Sequence, residues 1–304
     1  MVKYFFLKKE LFWPFFGCSV ALTFSLYLDI RLVSWYDGFY QSIKAKDFYF
    51  FIDNVLIFLI IVVLNCVTQA FIVYIQNYLD AKLKINFSKT AYYKNQFIAG
   101  CPSNFNQKII DDSTLAAEKF SSLGPYLIFN IAKAIVFLYL MYSWLPNGGS
   151  DWMSTLFLNP LVASAICFFL VQTVISGMYA PLVNRSEILR RYSENKFRIS
   201  LLNAPSDSKF KLAMEGYLSR IISIRKHLAF KNFIYSVLLG LISATSYVIP
   251  FFVLFDLYFQ DLLSFGELMK LSASFGTFQG STIYIISNMK EWFKGYSAFK
   301  RVMS

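Results

Sequence analysis

The sequence predicts an all-α integral membrane protein with six transmembrane helices and long cytoplasmic extensions. Three observations carry that expectation. Of the 304 residues, 57% are hydrophobic and only 15% charged, whereas soluble domains carry about 25% charge. Several apolar runs approach or exceed about 20 residues, enough to cross a bilayer as a helix. Lysine and arginine collect in alternate connecting segments, as the positive-inside rule requires.

The first span is placed at 12–34 ("FWPFFGCSVALTFSLYLDIRLVS"), and no small-residue cleavage site follows the apolar start, so it reads as an uncleaved span. The second occupies 49–79, and a polar, helix-permissive stretch extends it to about residue 100. The third, fourth, fifth and sixth fall at 124–145, 156–183, 232–260 and 266–293. Together they make one transmembrane domain over 1–304. Segments 1–11, 80–123, 184–231 and 289–304 then share the cytoplasmic side, while 31–48, 146–155 and 260–266 lie outside. Of the 29 Lys and Arg, all but Arg31, Lys44, Lys46, Lys133 and Lys270 fall in the cytoplasmic segments. The two later outer loops carry Asp151 and Asp261 and no basic residue. Both termini are therefore expected in the cytoplasm, and topology rather than nucleic-acid binding explains the net charge of +11.

The inner segments have helix-forming composition, so long helices joined by turns such as "GCPSNFNQ" and "NAPSDS" are expected. The four cysteines show no paired spacing and read as small hydrophobes. There is no metal-ligand cluster and no nucleophile beside a base, and His227 stands next to Arg225 and Lys226 as part of a solvated basic face. No G-x-x-x-x-G-K-[ST] phosphate loop occurs in these residues. An enzyme, a metal centre and a bound cofactor are not expected.

Five segments in register point further: "WYDGFYQSI" (35–43), "QKIIDDSTLAAEKFSSLG" (107–124), "ENKFRISLL" (194–202), "VIPFFVLFDLYFQ" (248–260) and "FGELMKLSASFGTFQG" (265–280). In that order and spacing they resemble the SbmA/BacA-like peptide transporters, whose membrane core is shared with subfamily D of the ABC exporters. The resemblance implies a homodimer with the exporter-type membrane fold, helices exchanged between subunits around a central cavity, and a place in the bacterial inner membrane. It further implies import of peptides or peptide-like antibiotics by alternating access, with proton coupling and no ATPase domain. Glu194 falls where the family places a cavity glutamate. Another such position corresponds to Ser121, with Glu118 one turn earlier, and the later acidic cluster is thinned to Asp207. Two other readings stay open: the membrane subunit of an ABC transporter whose ATPase is a separate chain, docking at 100–107 and 203–208, and a non-transporting scaffold.

Individual residues sharpen these expectations. In the sixth span Lys270, Ser274, Thr277, Ser281 and Asn288 recur at helical spacing, which gathers them on one face. Such a stripe avoids lipid and is expected to line a wet cavity, or else to bond a neighbouring helix. Lys133, inside the third span, is an intramembrane charge that must pair, face water or snorkel to the interface. Glu118, Glu187 and Glu194 are proton-coupling candidates, with ordinary solvated or salt-bridged roles as the plain alternative. Pro250 lacks a backbone donor and is expected to kink the fifth span, as a hinge or a static bend. Trp35, Tyr36, Phe39 and Tyr40 read as an interfacial aromatic belt. Asp256 and Glu267 flank the outer connection as a carboxylate rim or a hydrated loop. Asp111 and Asp112 are expected to cap a helix N-terminus.

Overall fold

The computed structural model describes residues 9–95, 103–145, 159–202 and 208–303. Among them we number seven helices: α1 (Lys9–Ala45), α2 (Phe48–Asn95), α3 (Ser103–Ser143), α4 (Pro160–Leu202), α5 (Ser208–Ser246), α6 (Ile249–Phe259) and α7 (Phe265–Met303). At 1.5 Å per residue the 48-residue α2 is about 72 Å long, more than twice the hydrocarbon thickness of a bilayer. The expected extension of helices past the apolar layer is therefore present. Among the described residues, five stretches are long and apolar enough to cross a membrane: Leu11–Ala45, Phe48–Thr90, Ile110–Ser143, Pro160–Tyr179 and Glu215–Phe259. They overlap the segments 12–34, 49–79, 124–145, 156–183 and 232–260. The segment 266–293 lies in a continuous helix, α7, whose polar residues keep it out of that apolar set.

Local chemistry sets the helix ends. Lys46 takes a positive φ of 55°, Lys46 N–H bonds Ile43 O at 3.2 Å and Asp47 N–H bonds Ser42 O at 3.2 Å, closing α1 in a Schellman motif. Asp47 then caps α2 by accepting from the Phe50 amide at 3.1 Å. The segment 31–48, expected as an outer loop, is thus largely helix, because nothing between Arg31 and Ala45 breaks it. Asp261 ends α6 the same way, with φ 55°. Ser264 and Glu267 form a reciprocal capping box at the start of α7: Ser264 N–H reaches Glu267 Oε2 at 2.8 Å and Glu267 N–H reaches Ser264 Oγ at 3.2 Å. Asn159 caps α4 ahead of Pro160, which occupies the first helical position. Helix α3 begins at Ser103, so the expected turn at 100–107 is already helical from that residue on. Asp111 and Asp112 therefore lie two turns inside α3 and do not cap it.

Prolines 14, 125 and 181 sit inside unbroken helices. At Pro250 the helix is interrupted: Tyr247 and Val248 make three-residue bonds to Ala244 O (3.3 Å) and Thr245 O (3.1 Å) before α6 starts.

The helices group into two compact units, one formed by 1–165 and 250–304, the other by 166–249. In the first, α3 packs along α7, and α1 packs on α2 and α7 but barely on α3. Its core joins Leu11, Cys18 and Leu22 of α1, Ile72, Leu79, Leu83 and Phe87 of α2, Ala116 and Ala117 of α3, and Ala298, Phe299 and Val302 of α7. Phe299 lies 5.5 Å from Phe87 and 5.1 Å from Phe120. Gly295 permits this: a Cβ there would overlap Lys119 Cβ. The second unit is the α4–α5 hairpin, whose facing helices are tied by Ser176 to Tyr235 (3.0 Å) and by Lys231 to Ser186 (3.0 Å).

Candidate functional site

Polar side chains in the first unit gather at three levels, counted from the end carrying the 45–48 turn to the end carrying residues 9 and 303. At the turn end, Lys270 of α7 donates to Asp37 Oδ2 of α1 at 3.1 Å and lies 5.0 Å from the ring of Trp144, just past the end of α3. Gly266 makes room for Asp37: a Cβ at 266 would collide with its backbone and carboxylate oxygens. Asp37 also accepts from Gln41 Nε2 at 2.5 Å. One residue of "WYDGFY" thereby binds the first polar residue of the α7 stripe. Trp35 of the same segment donates to Asn54 O at 2.7 Å and packs 4.9 Å from Phe58, so its ring works between α1 and α2.

At the middle level Lys133 Nζ donates to Asp29 Oδ2 at 2.7 Å, with both side chains mostly buried. Pairing is what a charge inside an apolar span requires. Beside this pair, Gln69 of α2 donates to Ser25 Oγ of α1 at 3.0 Å, and Tyr126 of α3 donates to Gln69 Oε1 at 3.1 Å. Asn130 Nδ2 donates to Tyr126 O at 2.8 Å. The depth is fixed by α2, which carries no charged residue between Asp53 and Asp80. Residues 54–79 measure about 39 Å, and Gln69 sits near their middle. Below the pair a groove of about 380 Å³ runs between α1 and α3, walled by Leu22, Leu26, Ile128 and Phe129 and floored by Trp292.

At the terminal end, Glu118 and Glu291 both approach Lys119 (3.0 and 3.6 Å), and Lys294 donates to Glu291 at 2.5 Å. Ser121 is buried, and its Oγ lies 3.5 Å from Asp80 Oδ1 of α2. A carboxylate from α2 thus approaches Ser121 of α3. Asp112 accepts two bonds from Arg301, at 2.8 and 2.7 Å, which clamps α3 to the last turn of α7. The carboxylate raises the pKa of the Arg301 guanidinium. A raised basic pKa stabilises below its unfolded value and loses that contribution only as pH climbs through the folded one, so this half of the clamp stays charged in any neutral buffer.

The remaining candidates divide as follows. Ser274 and Ser281 are buried in the first unit, while Thr277 and Asn288 are half-buried. Each donates to a carbonyl one turn back, at 2.8 to 2.9 Å. None of the five stripe residues lines the α1–α3 groove. Glu118 is exposed beside Lys119. Glu194 belongs to the second unit, 2.8 Å from Arg225 and 3.5 Å from Arg190. The side chain of Glu187 lies outside the described residues, as do 96–102, 146–158 and 203–207, which include Cys101, Asp151 and Asp207. Glu267 serves the capping box, and Asp256 is exposed. Among the described residues no three His, Cys, Asp or Glu side chains form a metal cluster.

Sequence reasoning missed Asp29 as the partner of Lys133, because "LDIRL" reads as the polar end of a span. The available signal was spacing: Ser25 and Asp29 are one turn apart, as are Asn65 and Gln69, and Tyr126, Asn130 and Lys133 follow at helical intervals.

No curated protein matches the sequence. Residues 3–206 do match a family, ABC transporter transmembrane region 2. With that match over more than half of the chain, and with described residues that are helical and include five stretches long and apolar enough to cross a membrane, the chain belongs to the ABC transporter transmembrane region 2 family and is a multi-pass membrane transport protein.

Proposed function

We propose that this chain is a secondary carrier that imports peptides or peptide-like antibiotics by alternating access, drawing on protons. It would work as a homodimer in the bacterial inner membrane, with both termini in the cytoplasm. The observation that carries the reading is the polar cluster at the middle level of the first unit, where Asp29, Lys133, Ser25, Gln69 and Tyr126 bond one another beside the uncharged run 54–79 of α2. Hydrocarbon penalises such groups, so their retention at that depth fits a path for polar cargo and ions better than a passive anchor. The five segments that resemble SbmA/BacA-like transporters support the peptide class, and the predominance of Lys and Arg near residues 9 and 303 supports the orientation. The exposed apolar side chains of the α4–α5 hairpin, among them Val174, Met178, Phe233 and Leu241, suit a second copy as well as lipid.

The test is peptide uptake into proteoliposomes under an imposed pH gradient, with a protonophore arm and Glu194→Gln alongside. Uptake that follows the gradient and collapses with the protonophore is expected. Uptake indifferent to the gradient removes the proton drive.

The second reading, the membrane subunit of an ABC transporter with a separate ATPase chain, is favoured by the family match itself. Under it, uptake appears only when an ATPase subunit and ATP are supplied.

A further inference from the structure

We propose that Asp29 is an intramembrane proton-binding site, and that Lys133 is the fixed cation which registers whether that site is filled. The inference deepens the carrier reading and rests on it for its role in transport. The binding site itself can be tested independently.

Depth comes first. Glu118 is exposed on the same helical turn as Lys119, and Glu194 is engaged by two arginines. Asp29 is held against the uncharged run 54–79 of α2 by the Ser25–Gln69 bond one turn away. A membrane helix keeps a carboxylate at such depth at a cost, and the habitual reason is an ion pathway.

Position in the bundle comes second. Helices α1 and α3 barely pack on each other, and the groove of about 380 Å³ separates them. Leu26 and Phe129, in its walls, lie one turn before Asp29 and Lys133 respectively, so the 2.7 Å ion pair ties the two walls together at the head of the groove. Whatever uncouples the pair frees α1 from α3 along the groove.

The charged and titratable neighbours come third, and they are few. From α3 come Lys133 itself and, two turns back, the Tyr126 phenol, already donating to Gln69. From α2 come only the amides of Asn65 and Gln69, which do not titrate. From α7 comes Tyr284, its ring 6.1 Å from that of Tyr126. On α1, Arg31 is exposed two residues on. Lys133 is thus the cation set directly against Asp29.

The step balances simply. A proton from water adds to Asp29 Oδ2 and gives a neutral carboxylic acid. The pair changes from net zero to net +1, and Lys133, still an ammonium, loses its counter-charge in a poorly solvated place. That favours a conformation in which Lys133 reaches water or a cargo carboxylate. Release of the proton on the other side restores the pair, which is the two-state bias that coupling requires.

The experiment uses the full-length protein in proteoliposomes, with two readouts. Infrared difference spectra between alkaline and acidic buffer report the C=O stretch of a protonated carboxyl group. The wild type and Glu194→Gln should show the band and Asp29→Asn should lack it. A band unchanged in Asp29→Asn, or absent from the wild type, overturns the site. The second readout follows a dansyl-labelled basic peptide in gradient-driven accumulation and in gradient-free exchange. Asp29→Asn should lose about tenfold or more of the accumulation, in the usual range of coupling energies, while exchange stays within about twofold. Asp29→Asn/Lys133→Gln removes the stranded ammonium and should recover thermal stability but not accumulation. Accumulation regained in that double variant, or kept in Asp29→Asn, makes the pair purely structural and overturns the proposal. Wild-type exchange without any response to the gradient sinks the coupling but leaves a carrier. Absence of both exchange and accumulation sinks the carrier reading, and the infrared band then decides the proton site alone.

Discussion

The α1–α2–α3–α7 bundle and the α4–α5 hairpin both expose apolar side chains but fill their interiors differently. In the bundle, buried positions are mostly large and apolar: Phe87, Phe137, Phe275, Ile72 and Leu79 are all but inaccessible. Ion pairs bond its helices to one another, Asp29 to Lys133, Asp37 to Lys270 and Asp112 to Arg301. Among the described residues of the hairpin unit, the buried positions Gln172, Ser186, Ser193 and Ser246 are polar and Ile221 is apolar, while Leu170, Val174, Met178, Phe230, Phe233 and Leu241 are exposed. A bilayer removes the hydrophobic drive for helix association, so hydroxyls and amides between helices with apolar side chains outside is a stable order there. The bundle adds a large apolar core beneath an apolar surface, whereas the hairpin is tied by polar contacts between its helices.

That contrast can be broken experimentally. The largest effect is expected from Phe299→Ala, which empties the contact among α2, α3 and α7 and should cost about 3–5 kcal/mol, read from unfolding in mixed micelles. Lys133→Met strands Asp29 inside the bundle and should cost nearly as much, about 3–5 kcal/mol by the same measurement. In the hairpin, Leu241→Asp places a charge on an outward apolar face. It should weaken membrane insertion by about 2.5–3.5 kcal/mol in a glycosylation-based insertion assay, whereas insertion indifferent to it would mean the face sees water. Gly295→Val forces α7 away from Lys119 and should cost about 1–3 kcal/mol. Smallest of all, Arg225→Ala removes an exposed partner of Glu194 and should cost less than about 1 kcal/mol. A large loss there would show that the hairpin, like the bundle, depends on its ion pairs.

The sequence made the apolar helices legible because run length and charge asymmetry act locally. The helical extension of the second span to residue 95 was equally readable, since no Gly or Pro interrupts it. Partners across helices were not readable. Lys133 announced itself as an isolated charge, but its counter-ion lies 104 residues away. Asp112 looked like a cap because its short-range options include one, and it was claimed instead by Arg301 from the far end of the chain. The stripe on α7 was visible as a period, yet period alone does not say that Ser274 and Ser281 are buried while Lys270 reaches for Asp37. Pro250 was visible as a break, and a break is what the backbone shows.

The length of α2 has a mechanical consequence. A rod of about 72 Å seated in about 30 Å of hydrocarbon leaves roughly 40 Å standing clear of it. Pivoting such a rod by about 5° inside the membrane swings its distal tip by about 3–4 Å, a displacement comparable with the length of a hydrogen bond. Small rearrangements at the buried pivot are therefore delivered, magnified, to whatever touches that tip.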